Sequence, residues 1–154
     1  MKLEAESYVF VLRFNENYII DAMEIHKDIC MKRGDCWYGK AGKKPNMNRI
    51  MEFIGDGIKM LFYSRNKIYI CDLINVSFEK PNEGYPDYYD NSMWKPNTWF
   101  QIKNLMRVNK DILDELLVMS TEKTMTDTIN SSMTSFFFTK VRRNIELEEE
   151  DYVE

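Results

Sequence analysis

Two β-patterned runs around a short polar break constrain this chain more than any other feature. Residues 58–64 (IKMLFYS) and 68–78 (IYICDLINVSF) flank the three residues Arg65, Asn66 and Lys67. Branched and aromatic side chains at this density suit a pleated surface, and two such runs around a tight turn predict a β-hairpin. Residues 7–14 (SYVFVLRF) carry the same signal and predict a buried strand.

The remaining segments mix helix and strand without regular alternation. Asn15, Glu16 and Asn17 read as a turn. In residues 18–31, Ile19, Ala22, Met23, Ile25, Ile29 and Cys30 fall near one helical stripe, closed by Lys32, Arg33 and Gly34. Residues 36–39 predict a short strand, 40–48 a polar basic loop, and 48–54 a short helix or turn ending at Gly55-Asp56-Gly57. Residues 79–97 hold three of the four prolines and no apolar period, which predicts a long loop. A strand is expected at 98–102, a helix at 109–119, a short helix within 121–130, and a last strand at 136–141. This order predicts an α+β fold: a small mixed sheet or pseudo-barrel with helices packed around it. No internal repeat is visible.

The length of 154 residues suits one domain, expected over residues 1–145. The last nine residues hold six acids and no base, and predict a disordered tail or linker over 146–154. The three cysteines match no zinc spacing, and reduced thiols are expected, although Cys30 and Cys36 are near enough in sequence to pair. The start has no apolar signal segment and no apolar run could cross a bilayer. A cytoplasmic protein without membrane partners is the expectation.

Catalytic patterns are missing. His26 is the one histidine and sits in a predicted helix. No G-x-S-x-G elbow, dinucleotide-binding glycine pattern or phosphate loop occurs. Gly39-Lys40-Ala41-Gly42-Lys43-Lys44 lacks the spacing and the hydroxyl residue of a phosphate loop. The expectation is a binding protein with no cofactor and no metal.

Two features point to a ligand. Residues 32–49 hold six basic side chains against one acid, a local net charge of +5 that suits phosphate. Lys40, Lys43, Lys44 and Arg49 are its phosphate-binding candidates. Aromatic rings cluster in two places: Trp37 and Tyr38 before the basic loop, and Tyr85, Tyr88, Tyr89 and Trp94 in the long loop, with Trp99 following. Such rings can stack on a base, or they can simply be core.

The order of these pieces resembles the EVE/YTH branch of the PUA-like superfamily. Trp37-Tyr38-Gly39-Lys40 is similar to the strand-ending Trp of that family. Asn48 through Gly55-Asp56-Gly57 to Tyr63 resembles its short helix, GD turn and Tyr-ended strand. Tyr85-Pro86-Asp87, Trp99 and the segment Ser131 to Phe138 resemble its later elements, so the likeness spans about residues 35–140. The opening strand lacks the early Trp common in EVE proteins. The resemblance implies a PUA-like pseudo-barrel and an aromatic cage for a modified, flipped-out base. Trp37, Tyr38, Asn46, Asn48, Tyr63, Trp94 and Trp99 would be its base-binding residues. The expected function is therefore a non-catalytic reader of a methylated base, in DNA rather than RNA. A modification-dependent restriction system with an effector domain is the expected setting. The alternative is a protein-binding module of a bacterial or phage defence or anti-defence system.

Overall fold

The computed structural model describes residues 1–16, 19–65, 67–91, 93 and 95–150. Its strands are β1 (Lys2–Leu3), β2 (Tyr8–Arg13), β3 (Cys36–Lys40), β4 (Lys59–Tyr63), β5 (Ile68–Ser77), β6 (Thr98–Val108), β7 (Leu116–Val118), β8 (Phe136–Val141) and β9 (Ile145–Glu146). Its helices are α1 (Ala22–Arg33), α2 (Met47–Gly55) and α3 (Met125–Ile129), with 3-10 turns at Asp87–Asp90 and Lys110–Glu115. Seven strands form one mixed sheet in the order β3-β6-β5-β4-β2-β8-β7, and β1 pairs with β9 beside it. Only β2 and β4 run parallel within it; the other neighbours are antiparallel. The fold is α+β, as expected.

Burial on both faces explains why the central strands are apolar over residues 9–12, 60–62 and 68–71, with Lys59 and Asp72 beyond these stretches paired to each other. Phe10, Leu12, Met60, Phe62, Tyr69 and Cys71 face α1 and α2, while Val9, Val11, Leu61, Ile70 and Phe137 face the opposite core under α3 and the Lys110–Glu115 turn. A strand buried on both faces has no polar positions to alternate with. The hairpin of β4 and β5 forms as predicted, with Leu61 opposite Ile70 and Phe62 opposite Tyr69.

Helix α1 ends as its sequence predicts. Gly34 adopts φ 99° and its N–H donates to the Cys30 carbonyl, a left-handed cap that suits glycine. Its start differs: the helix begins at Ala22 rather than residue 18, because Asp21 sits at φ 56° and cannot continue a right-handed helix backward.

Three other expectations are corrected. Residues 109–119 do not form one helix; a 3-10 turn gives way to β7, because Leu116 to Val118 pair with the open edge of β8. Strand β6 runs to Val108 rather than stopping at 102, through register shifts that absorb Asn104 at φ 56°. The acidic segment is anchored as far as Glu150. Ile145 and Glu146 pair with β1, Glu150 N–H donates to the Arg107 carbonyl, and Glu149 pairs with Lys27. Residues 151–154 lie outside the described residues.

All three cysteines are free and buried, and the Cys30 and Cys36 sulfurs lie 2.8 Å apart. Their hydrogen bond favours a thiolate at Cys30 and opposes one at Cys36. Burial raises the Cys71 thiol, in keeping with its fully enclosed position. Because all three are buried, the reagent is kept from even the Cys30 thiolate: native protein is expected to react slowly with Ellman's reagent, and denatured protein to release three thiols. Fast reaction of two or more thiols in the native state would contradict this packing.

Candidate ligand-binding site

The long loop expected at 79–97 is held to the body by a buried chain of hydrogen bonds. The His26 Nδ1 lies 2.7 Å from the Ala22 carbonyl oxygen, which can only accept, so Nδ1 carries the proton. The His26 Nε2 is then an acceptor, and the Tyr89 hydroxyl 3.0 Å away donates to it. The Tyr89 oxygen in turn accepts the Gly39 N–H at 3.0 Å. The chain joins α1, the 3-10 turn of the loop and β3. His26 is fully buried, and desolvation lowers its pKa from 6.5 to about 4, against the opposing Ala22 bond. The ring is neutral at pH 7.

Close packing seals the same corner. A Cβ on Gly39 would lie 2.8 Å from Pro96 Cβ and 2.9 Å from Trp99 Cζ3, so the strand needs glycine there. Asn97 N–H donates to the Lys40 carbonyl, and the Asn97 side-chain amide donates to the Gly42 carbonyl.

Beside this corner lies a cavity of about 960 Å³, where the ends of β2 and β3 meet the start of α1 and the loop. Phe14, Met23, Tyr38 and Tyr88 supply ring and apolar walls, while Arg13 and Lys40 supply positive charge. Tyr38 and Tyr88 both lie against His26, at ring-centroid distances of 5.1 and 6.1 Å. Burial pushes the Tyr38 phenol up, and pushes Tyr88 up to about 12, so both are un-ionised at neutral pH. The cavity can hold a flat, largely apolar group beside positive charge.

The expected site residues divide between this cavity and other places. Tyr38 and Lys40 line it. Lys40 is buried and its ammonium donates to the carbonyls of Ala41 and Lys43; burial and then Lys43 lower its pKa. It ties down its own loop rather than standing free for a phosphate. Trp99 is a correction: at 1% exposure it is packed against Tyr85, Tyr89 and Gly39, and has no face for a ligand. Trp37 is half-buried and alternates away from Tyr38 along β3, so the two tryptophans form no cage at this cavity.

Asn46 caps α2, its side-chain oxygen accepting the Arg49 N–H. Asn48 is exposed in the first turn of α2. Tyr63 lies under the Arg13 guanidinium at 5.9 Å. Lys43 and Lys44 are exposed over the rings of Phe136 and Phe78, and Arg49 stacks on Phe138 at 4.2 Å. Trp94 lies outside the described residues.

Phe14, Met23 and Arg13 were missed by sequence reading because they sit in segments that read as ordinary strand and helix. Nothing in their spacing shows that three element ends leave a gap there. Among the described residues no group of three or more His, Cys, Asp or Glu could hold a metal ion. No described helix is long and apolar enough to cross a membrane. Comparison with protein families, curated proteins and solved structures finds no match to this chain.

Proposed function

We propose that this chain is a non-catalytic reader of a modified, flipped-out nucleobase, in DNA rather than RNA, built on a PUA-like variant of the mixed sheet. The observation that carries the reading is the cavity that combines Tyr38, Tyr88, Phe14 and Met23 with Arg13 and Lys40. A base stacked on an aromatic ring gains about 1–3 kcal/mol. Extracting it from a duplex costs a few kcal/mol. Added methyl surface contributes about 25 cal/mol per Å² buried, so a methylated base fits apolar walls better than a plain one. At about 960 Å³ the cavity has room for the attached sugar as well.

The test is fluorescence-anisotropy titration of short oligonucleotides, plain and carrying methylated adenine or cytosine, at low and high salt. Tighter binding of one modified oligonucleotide is expected. Tyr38→Ala and Tyr88→Ala are each expected to weaken it by about tenfold or more, in keeping with one lost stack. No binding of any oligonucleotide at low salt would end this reading.

The alternative is a protein-binding module of a defence or anti-defence system. It is favoured by Ile20 and Met93, 82% and 99% exposed, with Met93 lining the cavity. Binding to a partner protein that is insensitive to salt would select it, because phosphate binding weakens steeply as salt rises.

A further inference from the structure

A second cavity of about 540 Å³ lies between α2, the connection from β7 to α3, and the start of β8. Its lining is chemically unlike the first. Arg49 and Lys123 face it with the hydroxyl residues Ser120, Thr121 and Thr134, and Phe138 forms part of its wall. No carboxylate lies within ion-pair distance of Arg49 or Lys123 among the described residues, so neither charge is neutralised at the cavity. Glu122 and Asp127, the acids nearest Lys123 in sequence, do not line the cavity.

Two of the hydroxyls there are set to donate, while those of Thr128, Ser131 and Ser132 are already spent on acceptors within the fold. The Thr121 hydroxyl oxygen already accepts the Lys123 N–H, and the Thr134 oxygen accepts from Ser132, which leaves each hydroxyl hydrogen to give. The Arg49 guanidinium carbon lies over Phe138 at 4.2 Å and one of its N–H groups makes a long contact to the Met119 sulfur at 3.9 Å, which limits its motion. Lys40 and Lys43 stand over Phe136, another wall residue, at 5.5 and 5.7 Å. Positive charge and hydroxyl donors without an acid suit an oxyanion.

The two cavities are neighbours. Ser135 lines the first, and Thr134 and Phe136 line the second. Arg13, in the wall of the first, donates to the carbonyls of Ile129, Ser132 and Thr134 and so holds the strip between them.

We propose that the second cavity is a phosphate site, filled by a backbone phosphate of a nucleic acid whose base enters the first cavity, or by free inorganic phosphate. In its nucleic-acid form the inference rests on the base-reading proposal. Arg49 supplies a planar charged fork, Lys123 a mobile charge, and Thr121 and Thr134 neutral donors.

Calorimetric titration of the full chain separates these sources and separates the two readings. The probes are inorganic phosphate, methylated and plain nucleosides that carry no phosphate, and a short oligonucleotide across a salt series. Arg49→Gln and Lys123→Gln are each expected to weaken oligonucleotide binding about tenfold and reduce the salt slope by about one. Nucleoside binding should be unchanged in both. Binding of inorganic phosphate alone, lost in the same variants, assigns the free ion as the source. If no nucleoside binds but oligonucleotide binding still depends on both cations, the base reading falls and the phosphate site stands. Wild-type affinity and salt slope in Lys123→Gln, an exposed position whose change leaves the core intact, would overturn the site even if Arg49→Gln failed to fold. Failure of the wild-type chain to bind either phosphate or the oligonucleotide would also overturn it.

Discussion

Tyr89→Phe is expected to destabilise the protein by about 2–4 kcal/mol, although it removes a single oxygen and leaves the ring in place. The Tyr89 side chain is 2% exposed, so water cannot replace what is lost. Without the hydroxyl, the Gly39 N–H loses its acceptor and His26 Nε2 loses its donor. A buried polar group left unpaired costs about 1–3 kcal/mol, and here two are stranded. The loss should appear as a lower urea midpoint with an unchanged slope. A change below about 0.5 kcal/mol, the usual effect of a surface substitution, would show that the buried chain does not hold the loop. Because that loop carries Tyr88 into the first cavity, ligand binding should weaken with it.

Acid is expected to cost the fold about 3 kcal/mol through His26 alone, since one pKa unit corresponds to about 1.4 kcal/mol. The folded value of about 4 lies below the unfolded 6.5. Between those values the unfolded chain holds a proton that the folded chain does not. Stability therefore rises with pH across that window, is fully present above 6.5, and is lost as pH falls towards 4. Asp90, held low by Lys80 and Tyr85, keeps its charge past the ordinary carboxylate value of 3.8 and acts below the window. Denaturant titrations at steps from pH 7 to 4 check the slope. His26→Gln should be less stable at pH 7 yet lose less of its stability through the window. An equal slope in wild type and variant would rule out His26 as the cause.

Much of the sheet was legible because its strands are apolar on both faces. Residues 7–14 and 58–78 carried that pattern, and β2, β4 and β5 fall within them. The stop of α1 was legible because Gly34 does a job that few other residues can do. Strand β7 was not, because three residues, Leu116 to Val118, fit a helix or a strand equally well until β8 offers an edge. The far half of β6 was hidden by Lys103 and Asn104, which the register shifts accommodate.

The candidate site was only partly legible. Tyr38, Lys40 and the aromatic loop were marked by composition, and so was Trp99, which proved to be core. A ring has the same letter whether it is buried or lines a cavity. The sequence by itself determined the class of fold, the central strands, the abundance of rings and the cation-rich run over residues 32–49, since these depend on local pattern and residue type. Tertiary structure alone decided that Tyr89 and Trp99 close the core while Tyr38 and Tyr88 line a cavity. It alone brought Arg49 and Lys123 to a common cavity. The physical reason is distance along the chain: periodicity reports which face a residue takes on its own element, but a cavity forms where elements far apart in sequence fail to fill the space between them.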